Sequence, residues 1–226
     1  KTQHIIIKKS FNLTEKLFNK DMKHFIGIDL GTSAVKMILT DEKMNIVNTI
    51  SKEYPLDFSA NGKSEQNPLD WWDAVLDGLN EITADVDKSC IAGIGVGGQM
   101  HGLVMLDEND KVIRPAILWN DTRTGKQTDY LNNEIGKEKL QSLTGNIAFA
   151  GFTAPKILWV KENEPENFSK CRKICLPKDY VNYMITGVFS TDVSDASGML
   201  LFDVENKCWS AEMLEICGVT ENMLPT

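Results

Sequence analysis

Phe25-Ile26-Gly27-Ile28-Asp29-Leu30-Gly31-Thr32-Ser33-Ala34-Val35-Lys36 is the stretch whose reading decides the fold. An isoleucine-rich apolar run carries one carboxylate, breaks at Gly31-Thr32-Ser33, and resumes as an alternating run over 35–39. Two such runs about a short break predict a β-hairpin with a tight tip. A buried strand does not tolerate a lone charge, so Asp29 is expected to face solvent, a metal or a ligand. Gly31 clears room for close approach, while Thr32 and Ser33 offer hydroxyl and backbone N–H donors to an anion. Two readings fit these residues: a phosphate site, or a turn in which Asp29 and Ser33 only satisfy the backbone.

Working outward, Asp41-Glu42-Lys43 makes a turn and 44–50 a third strand, giving an antiparallel meander. Asn67-Pro68 supplies a cap and a first-turn proline for a helix over 68–84. Leu69, Trp72, Val75, Leu76, Leu79 and Ile82 recur at helical spacing and predict its packed face, with Trp71 and Trp72 as core and rim. The glycine-containing apolar run 90–96 predicts a strand buried on both faces. It ends in Gly97-Gly98-Gln99-Met100-His101-Gly102, after which a new strand begins at 103. Polar residues hedged by glycines between apolar strands predict a ligand-facing elbow. A second polar cluster, Trp119-Asn120-Asp121-Thr122-Arg123, ends an apolar strand over 115–119.

Beyond it, 122–143 alternates charges with sparse apolar residues, the pattern of solvated helices. A helix follows from Gly151 toward Asn163, stopped by Pro165, then a short strand over 173–176 and a helix from Pro177 to Gly187. The small polar segment 191–198 reads as a turn, 199–202 as apolar chain, and 210–217 as a closing helix. Strands and helices interleaved in this way predict a mixed α/β fold.

At 226 residues, with 42% hydrophobic and 25% charged residues, the chain can bury a large core. A net charge of -8 argues against nucleic-acid binding, which needs a basic surface. No apolar run is long enough for a membrane span, and none is shaped like a signal peptide. The five cysteines are scattered, and Cys171 and Cys175 have no histidine or second cysteine pair to complete a zinc site; they read as structural, reduced thiols. Residues 1–21 differ in character, with a weakly amphipathic helix over 13–18. They are expected to be a leader or extension, Met22 making a natural start.

Five segments, Phe25–Lys36, 97–102, Trp119–Arg123, 152–159 and 192–198, together resemble the FGGY carbohydrate kinases in type and order. Gly151-x-Thr153-x-x-Lys156-Ile157-x-Trp159-Val160-x-Glu162-Asn163 is similar to that family's first signature at every specified position. The resemblance implies a ribonuclease-H-like α/β fold of the actin, hexokinase and Hsp70 type, with a mixed sheet flanked by helices. It implies that 22–226 is the N-terminal, sugar-binding domain, and that a second domain holding most of the nucleotide, with the base-bearing aspartate, lies outside this sequence. The piece alone is then expected to be inactive.

In the whole enzyme ATP and Mg²⁺ would serve as cofactors and D-xylulose as substrate, with gluconate as the rival. A binding domain without chemistry is the alternative from another class. The resemblance assigns Asp29 to magnesium through water, and Gly31, Thr32, Ser33 and, more weakly, Lys36 to phosphate. It assigns Met100, His101 and Gln99 to the sugar; Trp119 and Asp121 are expected to line its pocket, with an Asp121–Arg123 pair that only holds a loop as the alternative, and Arg123, Lys156, Asp192 and Asp195 are left undecided. A cytoplasmic, soluble enzyme free of membrane, with room for a homodimer, completes the expectation, as does convergence of the polar kinks on one cleft.

Overall fold

Alternation in the first hairpin sorts its side chains between two faces, as a pleated strand must. In the computed structural model, which describes residues 22–58 and 62–226, β1 (His24–Leu30) and β2 (Ala34–Asp41) pair antiparallel with Ile28 opposite Met37. Ile26, Ile28 and Leu30 are buried with Val35, Met37 and Leu39 on one face. β3 (Ile46–Glu53) joins β2, setting Ile50 beside Met37, so the expected three-stranded meander forms. The leader and the helix expected over 13–18 lie outside the described residues.

The chain divides into two units, the first holding residues 1–53 and 73–97, the second residues 54–72 and 98–226. Two short strands, β4 (Asp57–Phe58) and β5 (Ser64–Gln66), precede α1 (Pro68–Ile82). The Asn67 side chain accepts from Leu69 N at 3.2 Å, the cap its sequence predicts. The buried positions of α1 are Pro68, Trp71, Val75, Gly78 and Ile82. Leu69 and Leu76 are 48% and 40% exposed, which corrects the expected face by one residue. Gly78 explains the offset: a Cβ there would come within 2.8 Å of both Met37 and Ile50, so the helix lies on the sheet at its smallest residue.

In the first unit the strand order is β3-β2-β1-β6, with β6 (Ile91–Gly98) at one edge. The expectation of burial on both faces is overturned, since Ile94 is 41% exposed and a Cβ on Gly95 or Gly97 would meet open space. An apolar, glycine-rich run reports small side chains, not neighbours.

The second unit is built from small sheets and helices. β4 pairs with β5 and β5 with β8 (Ala116–Ile117), and β7 (Val104–Leu106) pairs with β9 (Lys173–Cys175). The strand expected over 115–119 is thus only two residues long. The segment expected to be solvated helix is α2 (Gly125–Asp129), a π-helical stretch (Tyr130–Gly136) and α3 (Lys137–Thr144), and it buries Leu131 and Leu140 fully. Next come α4 (Thr153–Asn163), α5 (Pro165–Lys170), α6 (Pro177–Thr186) and α7 (Val193–Ser197). Gly187 ends α6 at φ 71, a left-handed position suited to glycine. A hairpin of β10 (Phe202–Asp203) and β11 (Cys208–Trp209) leads to α8 (Ala211–Cys217). Leu103, Met105, Ile117, Ile157, Val160 and Leu201 form the heart of this unit's core.

Candidate functional site

Within the first unit the face of the sheet away from Ile28 and Met37 carries Asp29 and Lys36, which stand opposite each other in the β1–β2 ladder and are both exposed. They border a hollow of about 660 Å³ with Gly27, Ile38, Ser51 and Gly95. At the hairpin tip the Gly31 N–H is already used, donating to Ala34 O at 3.0 Å and Asp29 O at 3.1 Å. A side chain on Gly31 would meet the Ala34 carbonyl at 2.9 Å, so this glycine closes the turn. Ser33 is exposed and Thr32 half-buried at the same tip. Among the described residues no cluster of three or more histidine, cysteine or acidic side chains forms a metal cage.

Within the second unit the elbow after β6 brings Gln99, Met100 and His101 together with α4 and α7. Gln99 is nearly buried and donates to Gln66 Oε1 at 3.2 Å, where Trp71 Nε1 also donates at 3.0 Å; Gln66 Nε2 donates to Pro55 O at 3.0 Å. This chain of amides fixes the residue that enters the elbow. His101 sits at φ 64, a left-handed backbone that costs a non-glycine residue energy and persists only where its surroundings hold it.

Its ring stacks on Phe152 with centroids 4.9 Å apart, and Phe152 meets Phe149 edge-on at 5.4 Å. His101 Nδ1 lies 3.0 Å from Gly198 O. A carbonyl oxygen only accepts, so Nδ1 carries the hydrogen and neutral Nε2 is left an acceptor. No described residue pairs with Nε2. Burial lowers the His101 pKa, with the Lys156 charge adding to the effect, against the Gly198 hydrogen bond. A Cβ on Gly198 would lie 2.2 Å from His101 Cε1, so only glycine admits the ring there.

α7 fixes Gly198. Asp192 caps it, Oδ1 accepting from Asp195 N at 2.9 Å, and its other oxygen pairs with Lys178 Nζ at 2.7 Å. Lys178 also meets Asp179 at 2.6 Å; burial alone would lower its pKa, but the carboxylates outweigh burial and raise it. Asp192 and Asp195, left undecided in the sequence, thus share Lys178, Asp195 Oδ2 lying 3.3 Å from its Nζ.

The second polar cluster behaves differently. Asp121 is 1% exposed and accepts from Ser64 N at 2.7 Å and from Arg123 N, Nε and Nη2. Both oxygens of this carboxylate, expected either to line the sugar pocket or to pair with Arg123 and hold a loop, are occupied in these contacts, so the loop pair forms. Arg123 Nη1 pairs with Glu65 at 2.7 Å, Glu65 also pairs with buried Arg114 at 2.5 Å, and Arg114 pairs with Glu164 at 2.8 Å. The Arg123 guanidinium stacks 4.8 Å from the Trp159 ring centroid. Trp119 is 48% exposed, and its carbonyl presses against Gly151 just before α4.

Gln66, Glu65, Phe149, Phe152 and the Gly198 carbonyl are the contributors that sequence reasoning did not name as site residues. Gly198 and Phe152 stood inside motifs already quoted. For Glu65 no local signal existed, because its partners are 49 and 58 residues away in the chain.

The hairpin turn with its hydroxyls and exposed carboxylate, and the elbow whose histidine stacks on an aromatic ring, stand in a mixed α/β fold. Residues 24–226 match the FGGY family of carbohydrate kinases, N-terminal domain, and the chain belongs to that family. It is 47% identical over 207 residues to the xylulose kinase of Lactococcus lactis subsp. lactis (strain IL1403), an alignment covering 90% of this chain and 41% of that protein. Among solved structures it resembles a xyloylose kinase from Brucella ovis (41% identity, TM-score 0.85, 90% of this chain and 42% of that one). It also resembles gluconate kinase from Lactobacillus acidophilus (30% identity, TM-score 0.86, 91% and 42%). The chain thus spans about two-fifths of the length of the relatives it matches. The ribonuclease-H-like α/β fold class of the sequence reading stands.

Proposed function

We propose that the whole protein transfers the γ-phosphoryl group of ATP to the primary hydroxyl of D-xylulose, forming D-xylulose 5-phosphate. This chain is its N-terminal, sugar-binding domain, 22–226, and the enzyme works in the cytoplasm on small molecules. The observation that carries the reading is the His101 ring, held neutral with Nδ1–H on Gly198 O so that Nε2 is an acceptor for a sugar hydroxyl. Met100 is half-buried beside it, a flexible apolar wall for the carbon skeleton. Gln99 braces the elbow and Trp119 stands exposed at the second polar cluster, available to the sugar.

Phosphoryl transfer calls for positioning and charge neutralisation more than covalent chemistry. The donor set at the hairpin fits the cofactors. A single exposed carboxylate suits Mg²⁺, which keeps most of its waters and takes one or two carboxylates, so Asp29 would hold it through water. When bound, the ion neutralises phosphate charge. Ser33 and Thr32 would donate to phosphate oxygens, and Lys36, opposite Asp29, adds a positive charge. Gly31 serves by shaping the turn.

The likeness to gluconate kinase keeps one rival in view, since both relatives share this fold. A coupled assay of the full-length protein with D-xylulose, other ketoses, gluconate and glycerol, each with ATP and Mg²⁺, separates the two. Turnover of D-xylulose well above gluconate is expected; the reverse order would replace ketose with aldonate.

A further inference from the structure

The reading of His101 leaves open what keeps its backbone in the left-handed region, where no glycine relieves it. Two side chains at the start of α4 hold it there. Thr153 Oγ1 donates to the His101 carbonyl at 3.1 Å, and Lys156 Nζ donates to the same carbonyl at 2.8 Å. Lys156 Nζ also donates to Gly151 O at 2.5 Å. Thr153 and Lys156 are both fully buried at 0% exposure. A buried lysine is an expensive choice for tying two backbone oxygens, and among the described residues its amine makes no other hydrogen bond, with the Asp121 charge acting on it only at longer range.

The geometry points to Thr153 and Lys156 as positioning residues for His101, fixing its carbonyl and thereby aiming its ring at Gly198 O. The consequence is a locked tautomer. With the carbonyl pinned and the ring held between Phe152 and Gly198, the Nδ1–H form is the one that fits, and Nε2 keeps its lone pair for the substrate. Burial pushes Lys156 down to about 7, yet the role survives deprotonation, since a neutral amine still carries two hydrogens for two carbonyls. The family signature residues at 153 and 156 thus act on the sugar at one remove, through the backbone of another element.

The inference rests on the proposed sugar contact of His101, and its test separates the two. Thr153→Val keeps shape and removes the donor; Thr153→Ser keeps the donor. In the full-length protein Thr153→Val is expected to raise KM for D-xylulose about tenfold while KM for ATP stays unchanged, and Thr153→Ser to restore it. The ¹⁵N resonances of the His101 imidazole are expected to report the Nδ1–H tautomer in the wild type and a mixture in Thr153→Val and Lys156→Met.

Unchanged tautomer and unchanged sugar KM in Thr153→Val would overturn the positioning role, whatever happens to the melting temperature, as would failure of Thr153→Ser to rescue. His101→Ala tests the parent reading: if it leaves sugar KM unmoved, the sugar contact fails, while the tautomer measurement still decides the positioning role. Should Lys156→Met not fold, the Thr153 pair carries the test alone.

Discussion

Asp29 and Lys36 face each other across the β1–β2 ladder, two exposed and opposite charges on the open face of a sheet whose other face is core. Neither packs against the interior, so their presence is not a folding requirement. Asp29→Asn is expected to lower kcat/KM of the full-length protein by about 100-fold or more, since a metal-positioning carboxylate supplies several kcal/mol to the transition state. Its melting temperature should stay near that of wild type, because exposed substitutions typically move stability by only about 0.5 kcal/mol. Paired kinetic and melting measurements check this; a large stability loss with normal turnover would place Asp29 among turn-forming residues.

Asp121 should fail in the opposite way. It is buried with both oxygens occupied by Ser64 N and Arg123, and its loss leaves two backbone donors, Ser64 N and Arg123 N, without their acceptor and the guanidinium with Glu65 alone. Asp121→Ala is expected to cost about 3 to 5 kcal/mol, the range for removing one partner of a buried ion pair. Urea unfolding followed by tryptophan fluorescence measures it. A stable variant with only a raised sugar KM would return Asp121 to the pocket.

Helix α1 gives a sharper test of what its pattern encodes. Val75 is fully buried and Leu76 is 40% exposed, although both fit the same apolar stripe in the sequence. Val75→Ala is expected to destabilise by about 1 to 2 kcal/mol and Leu76→Ala by about half a kcal/mol or less, read by urea unfolding.

The contrast shows where sequence reading reaches and where it stops. The β1–β2 hairpin, the Asn67 cap and the stop at Gly187 were legible, because each depends on residues within a few positions. The true face of α1 was not, since it is set by Gly78 nesting on Met37 and Ile50. β6 read as central because apolar composition does not name a second neighbour. In the site, His101 stood out between glycines, but its acceptor Gly198 is 97 residues further along the chain. For Asp121 the pair with Arg123, two residues on, was legible as one alternative, whereas its other partner, Ser64 N, lies 57 residues away.

His101 predicts a pH dependence for sugar binding. Its pKa is lowered from 6.5, chiefly by burial, so the ring is neutral at and above that pH. Protonation turns Nε2 from acceptor to donor. KM for D-xylulose should therefore be flat above 6.5 and rise as pH falls below it, while KM for ATP does not follow. A pH series of initial rates checks this, and a sugar KM that is flat into the acid range would deny Nε2 its role.

Lys156 predicts a pH dependence of another kind, in stability. Burial brings its pKa from 10.5 down to about 7, with Asp121 opposing the fall. At Lys156 the folded state therefore holds fewer protons than the unfolded chain between those values, so this group raises stability with pH across that window, while buried Cys171, Cys175 and Cys217, whose pKa values burial raises, oppose it as pH nears 9. The contribution is fully present above about 10.5 and is lost as pH falls toward 7. Carboxylates contribute little to the slope there, since their titration ends well below neutrality. Urea midpoints measured from pH 7 to about 8, where other lysines and most thiols stay protonated, should rise more steeply with pH in the wild type than in Lys156→Met. A wild-type slope that persists unchanged in the variant would mean that the buried amine keeps its proton throughout, held by the two carbonyls and Asp121.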